Sequence, residues 1–94
     1  MQRTLQDVAI QLNPNDNVAV AKQDLAAETT LSIHLGKTIT IREPIPVGHK
    51  FALQTIPVGE PVLRYGYAIG IATQLVQPGN WVHTHNLESK RWKK

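Results

Sequence analysis

The phrase Ile45-Pro46-Val47-Gly48-His49 returns eleven residues later as Ile56-Pro57-Val58-Gly59-Glu60, and Val76-Gln77-Pro78-Gly79-Asn80 is a looser third copy. Each copy reads as a strand end, a tight turn and the start of the next strand. Proline presets φ at about −65° and has no N–H to donate, while glycine accepts the positive φ that such a turn requires. Short strands joined by turns at this spacing predict a small, strongly bent all-β domain.

The residues between the turns fit that reading. Leu31, Ile33 and Leu35 alternate with polar residues, as do Ile39 and Ile41, and Gly36-Lys37 separates the two runs. This is a hairpin pattern with one buried face. The most apolar stretch runs from Val62 to Ala72 and is expected to form the centre of the core. Gly66 and Gly70 inside it point to a bulge or a close approach of backbones. Helix signals are scarce, and the best candidate is a short segment around Ala21 to Ala27. Asn13-Pro14-Asn15 reads as an Asx-type turn that delivers Asp16-Asn17 into Val18-Ala19-Val20. The expected organisation is one domain over residues 1–94, with a core at about 13–87 and a basic tail at 88–94. Its fold class is all-β, with at most one or two short helical turns.

Size and charge restrict function. A chain of 94 residues buries only about 60–65% of the surface its unfolded form exposes, so a deep, enclosed active site is hard to build from it alone. With no cysteine there is no disulfide, thiolate metal site or cysteine nucleophile. The first eleven residues lack an apolar signal region, and no apolar run approaches the roughly 20 residues of a membrane span. The expected setting is soluble and cytoplasmic, without a membrane partner. The net charge is +3, but Lys90, Arg91, Lys93 and Lys94 supply four of the ten basic residues. Through Ser89 the chain has six basic against seven acidic residues. A nucleic-acid binder carries its positive stripe on the folded surface, so no nucleic-acid partner is expected.

Histidine is the one side chain whose ordinary pKa lies near physiological pH. His34 sits in the hairpin with no other signal around it and reads as a surface residue. His49 follows a turn glycine and precedes Lys50, placing the pair at a loop-to-strand junction, where function concentrates. A capping bond from the imidazole to a turn carbonyl would explain His49 equally well. Val82-His83-Thr84-His85-Asn86 is the sharpest local feature. On an extended strand, residues two apart share a face, so His83 and His85 are expected to point the same way. Two imidazoles with an amide beside them can present nitrogen ligands to a divalent metal or grip a polyhydroxy acid. Asp16-Asn17 could line a ligand-contacting loop. No phosphate-cradling glycine loop or nucleophile elbow is present, and Ser32 and Ser89 lack any triad context.

Taken in order, Asp16-Asn17-Val18-Ala19-Val20-Ala21, Gly48-His49-Lys50-Phe51-Ala52-Leu53, Tyr65-Gly66, Ile69-Gly70 and Val82-His83-Thr84-His85-Asn86-Leu87 resemble one family. It is the SAF domain found at the N-terminus of altronate and galactarate dehydratases, which also forms the alpha subunit of sulfolactate sulfo-lyase. The resemblance spans about residues 13–87. It implies a β-clip fold, a pseudo-twofold wrap of short strands, and a partner in the form of a large catalytic subunit. A homo-oligomer is compatible with the same reading. Family dehydratases remove water across C2–C3 of a sugar acid to give a 2-keto-3-deoxy acid, and they depend on Fe(2+) or another divalent metal. By resemblance, His49 and Lys50 are the candidate catalytic residues, Asp16, Asn17 and Asn86 the substrate-binding residues, and His83 and His85 the metal ligands. The chain departs from the family at Asn13-Pro14-Asn15, where members often carry a histidine.

Three functions follow as expectations. The first is the small subunit or N-terminal domain of a sugar-acid hydro-lyase, inactive when isolated. The second keeps the architecture but expels sulfite instead of water. The third is a non-catalytic SAF-type module for carbohydrate binding or assembly, which the H-T-H-N segment disfavours.

Overall fold

All three copies of the repeated phrase are turns with glycine in the left-handed region: φ is 83° at Gly48, 86° at Gly59 and 88° at Gly79. The following N–H closes each turn, from His49 to the Pro46 carbonyl (3.1 Å), Glu60 to Pro57 (3.1 Å) and Asn80 to Gln77 (3.0 Å). A fourth turn of the same form lies at Leu25-Ala26-Ala27-Glu28-Thr29. There Glu28 takes φ 72° and Thr29 N–H donates to the Ala26 carbonyl at 3.3 Å. This corrects the helix expected over Ala21–Ala27. The composition favours a helix, but Leu25 bridges antiparallel to Ile45 and is fully buried there, and that pairing overrides local propensity.

The computed structural model describes residues 3–34 and 36–89. Along the chain these form β1 (Arg3–Thr4), α1 (Leu5–Val8), β2 (Ala9–Ile10), β3 (Val18–Ala21), β4 (Thr30–His34), β5 (Lys37–Thr40), β6 (Lys50–Ala52), β7 (Pro61–Arg64), β8 (Tyr67–Ala72), β9 (Trp81–Val82) and β10 (Leu87–Ser89). The fold is a small all-β domain with one short helical turn among the described residues, as expected. The strands make three sheets, ordered β1-β4-β5, β2-β3-β6-β9 and β10-β8-β7. Of the expected basic tail, Glu88 and Ser89 belong to β10, and residues 90–94 lie outside the described residues.

A pseudo-twofold repeat organises the whole. A shift of 31 residues carries the bridge Leu25–Ile45 onto Ile56–Val76. It also carries the bond from Gly48 N–H to the Ala21 carbonyl onto that from Gly79 to Ala52, both 2.8 Å. Each half contributes one hairpin, β4–β5 or β7–β8, and the halves meet at the central sheet, where β6 pairs with β3 and β9.

That central sheet separates two apolar cores. Cross-strand partners share a face, so Ala19, Phe51 and Trp81 lie on one side, and Val18 with Ala52 and Lys50 with Val82 on the other. The first face packs on Leu5, Val8, Leu25, Leu31, Ile41 and Ile45 around Phe51. The second packs on Ile56, Val62, Ala72 and Val76. The helical turn buries Leu5 and Val8, so the apolar core also draws on residues before 13. The expectation that Val62–Ala72 forms the core centre is also corrected. Val62, Gly70 and Ala72 are buried, but Tyr65, Gly66, Tyr67 and Ala68 at the hairpin tip are exposed. The tip is held by polar bonds, with Asp16 accepting from the N–H groups of Tyr65 and Gly66, and not by burial of its apolar atoms.

The two glycines of this hairpin have different duties. Gly66 takes φ 78° beside Tyr65 at 58°, which makes the two-residue turn. Gly70 lets β10 approach, because a Cβ there would run into the Glu88 carbonyl. The bulge expected in this stretch is at Ile69, the extra residue between Ala68 and Gly70, which pair with Leu63 and Val62.

Candidate functional site

The loop before β3 forms as expected, with Asn15 N–H donating to the Asn13 side-chain oxygen at 2.8 Å. It does not present Asp16 and Asn17 to solvent. They are 5% and 6% exposed, and their polar atoms turn inward to the β7–β8 hairpin. Asp16 accepts from Tyr65 N–H (2.9 Å) and Gly66 N–H (2.7 Å). The Asn17 amide accepts from Leu63 N–H (2.7 Å) and donates to the Pro61 carbonyl (3.0 Å). Both residues hold a hairpin across more than forty residues of sequence.

Asn86 has a similar task nearer its own place in the chain. Strand β9 ends at Val82, and Asn86 N–H donates to the His83 carbonyl at 3.0 Å to close a turn. The Asn86 side chain accepts from His83 N–H (2.9 Å) and donates to the Trp81 carbonyl (2.8 Å). His83 and His85 therefore stand on a turn, not on one face of an extended strand. The alternation argument fails because this buried amide satisfies the backbone locally and bends the chain one residue after the strand ends.

The bend nevertheless gathers the histidines. His49 precedes β6 and lies on the Phe51 side of the sheet, next to Trp81. Trp81 Nε1–H donates to His49 Nδ1 at 3.3 Å, with ring centroids 5.4 Å apart. His83 stacks on Trp81 at 5.2 Å with 10° between the planes, and meets His49 edge-on at 5.2 Å. His85 completes the group at 5.8 Å from Trp81. Trp81 thus touches all three imidazoles, and the sequence reading had no place for it. Its one available signal was its position two residues before His83, followed on a strand by the alternation already noted. Glu43 was also missed: its carboxylate accepts from Trp81 N–H at 3.1 Å and fixes the start of β9.

Lys50 goes elsewhere. Adjacent residues on a strand point to opposite faces, so Lys50 projects between Val20 and Val82, across the sheet from His49. Burial, and then the neighbouring Arg64 guanidinium, hold its ammonium below the usual lysine range. Arg64 lies over the Tyr65 ring at 4.6 Å and donates to the Tyr65 hydroxyl at 2.9 Å, while its Nε is buried without a partner. His34 ends β4 opposite Lys37, and its side chain lies outside the described residues.

Among the described residues, no group of three or more His, Cys, Asp or Glu side chains is placed to hold a metal ion. His49 Nδ1 is already engaged by Trp81. Among the described residues, the cluster does not make a metal centre by itself. No helix among the described residues is long and apolar enough to cross a membrane.

Comparison with known proteins identifies the family. The family model described as the altronate/galactarate dehydratase SAF domain matches residues 7–90. Altronate dehydratase of Escherichia coli (strain K12) is 44% identical over 77 residues, which is 82% of this chain and 15% of that protein. The (2R)-sulfolactate sulfo-lyase subunit alpha of Paracoccus pantotrophus is 41% identical over 54 residues, covering 57% of this chain and 81% of that subunit. Galactarate dehydratase (L-threo-forming) of Escherichia coli (strain K12) is 34% identical over 73 residues, 78% of this chain and 14% of that protein. The chain thus spans about one seventh of the length of the two dehydratases.

Proposed function

Because the chain belongs to the altronate/galactarate dehydratase SAF-domain family, we propose that it is the small subunit or N-terminal domain of a cytoplasmic sugar-acid dehydratase. Together with a large catalytic part, it converts an altronate- or galactarate-type acid into a 2-keto-3-deoxy acid. The observation that carries this reading is the convergence of His49 and His83 on Trp81, although 34 residues separate the two histidines in sequence. Removing a proton α to a carboxylate builds negative charge on the carboxylate oxygens, and departing hydroxide needs a proton. Half-buried imidazoles on an accessible edge suit the first task as hydrogen-bond donors and the second as acids.

In this proposal His49 and His83 contact the acid, with His85 at the rim. Asp16, Asn17 and Asn86 act indirectly, by holding the hairpin and the turn in place. Lys50 lies across the sheet and takes no part in the same reacting group. The large part supplies the base, the enclosing walls and the ligands for the iron that family membership implies.

The test is reconstitution. The purified 94-residue chain should give no 2-keto-3-deoxy acid from altronate or galactarate, and adding the large dehydratase chain should restore turnover. Substantial activity of the chain alone would overturn the division of labour.

A second reading has its own support. The Paracoccus pantotrophus relative is a sulfo-lyase alpha subunit matched over 81% of its length, so a domain of this kind can make up most of a subunit. The same reconstitution with (2R)-sulfolactate, scored by sulfite release, separates the two readings.

A further inference from the structure

An indole N–H can only donate, so the atom that receives it must carry a lone pair. Here that atom is His49 Nδ1, 3.3 Å from Trp81 Nε1. A neutral imidazole with its lone pair on Nδ1 carries its proton on Nε2. The donor is itself fixed from several sides. Trp81 N–H is held by the Glu43 carboxylate at 3.1 Å, and its carbonyl by the Asn86 amide at 2.8 Å. Its ring is stacked by His83. The His49 backbone is pinned as well, its N–H to the Pro46 carbonyl (3.1 Å) and its carbonyl to Ala21 N–H (2.9 Å). Neither partner needs to reorganise for the bond to persist.

We propose that Trp81 is a positioning residue that holds His49 as the Nε2–H tautomer, so that His49 meets its ligand as a hydrogen-bond donor to an oxygen anion such as a carboxylate. The ligand's identity rests on the dehydratase reading above, but the tautomer does not. In this tautomer Nε2 has no lone pair, so it neither takes a proton from carbon nor binds a metal. His49 is thereby removed from the candidates for base and for metal ligand. It is left the task that a charge-building carboxylate requires.

The experiment uses the 15N-labelled 94-residue chain, with long-range imidazole correlations recorded at a pH where the histidines are neutral. His49 should show a protonated-type Nε2 shift and an unprotonated-type Nδ1 shift. The Trp81 indole resonance, identified by its loss in Trp81→Phe, should move in His49→Ala, which removes the acceptor and leaves the donor. In Trp81→Phe the two His49 nitrogens should shift toward the tautomer-averaged values of free imidazole. A proton on His49 Nδ1, or a Trp81 resonance unchanged in His49→Ala, would overturn the proposal whatever the chain's function.

A second arm recombines Trp81→Phe with the large dehydratase chain. Turnover should fall roughly tenfold or more, as it does when the partner that sets a catalytic imidazole's tautomer is lost. Unchanged turnover in a folded variant overturns the positioning role. If the wild-type mixture has no lyase activity at all, the dehydratase reading fails, while the NMR result still decides the tautomer.

Discussion

Asp16 and Gly66, fifty residues apart, are joined by a 2.7 Å bond from the glycine N–H to the buried carboxylate, whose other oxygen takes the Tyr65 N–H at 2.9 Å. The carboxylate thereby satisfies both N–H groups of a two-residue turn in which Tyr65 and Gly66 have positive φ. Asp16→Ala should destabilise the domain by about 1.5–3 kcal/mol, the usual cost of losing hydrogen bonds to a charged group. Asp16→Asn, which keeps one acceptor, should lose less. Thermal melts of the two variants test this, and an Asp16→Ala protein as stable as wild type would free the residue for a substrate-facing role.

The four equivalent turns give a graded series. Glu28 is the one non-glycine at its position, and left-handed φ costs a residue with a Cβ roughly 1–2 kcal/mol. Glu28→Gly should therefore raise stability, by about 0.5–1 kcal/mol once the extra entropy of unfolded glycine is deducted. Gly48→Val and Gly59→Val should cost about 1–3 kcal/mol from backbone strain, since a Cβ at either site meets open space. Lys37→Ala, on an exposed hairpin residue, should cost less than either. Gly79→Ala should be worse than all of these, because its Cβ would also collide with the Thr40 carbonyl. Denaturant midpoints should fall in that order.

The same series shows how far sequence reading reaches. Three turns were legible because glycine and proline have strong local preferences. The fourth was hidden because Glu28 stands where glycine is usual and Ala21–Ala27 has helix-like composition. The duplication was visible only as a recurring phrase, since the bridges that define it, Leu25–Ile45 and Ile56–Val76, are non-local. At the site, His49, His83 and His85 were legible as residue types, and the family resemblance brought them together. Their arrangement was not, because it depends on Asn86 bending the chain after Val82 and on Trp81 lying opposite Phe51. That His49 and Lys50 lie on opposite sides of the sheet follows from a simpler rule: adjacent residues on extended backbone face opposite ways.

Lys50 gives a prediction with a definite sign. Its ammonium is held below the ordinary value of 10.5 by burial and by Arg64. Between the lowered value and 10.5 the unfolded chain binds more protons than the folded one, so this residue makes stability rise with pH across that window. Below the window the folded state carries the full penalty of a partly desolvated charge. Lys50→Met should therefore raise the melting temperature at neutral pH and flatten the increase in stability toward pH 10.5. A Lys50→Met protein that melts below wild type at neutral pH would show that the lysine's contacts outweigh its electrostatic cost.

Folding and function should separate most clearly at His83 and His85. His85 is exposed, and His83 is only half-buried where it stacks on Trp81. The turn that carries them is held by main-chain groups and by Asn86, not by either imidazole. Replacing both with Ala should then cost no more than about 1 kcal/mol, within the ordinary range for side chains that are not buried. Asn86→Ala should cost more, because it leaves His83 N–H and the Trp81 carbonyl without their partner. In the reconstituted enzyme the double variant should lose activity by about a hundredfold or more, the scale of a lost general acid. Melting and turnover must be measured on the same preparation. An unfolded double variant would make the histidines structural. A folded variant with wild-type turnover would leave Trp81 and its imidazoles as a packing cluster, and the reacting groups would have to be sought in the large part alone.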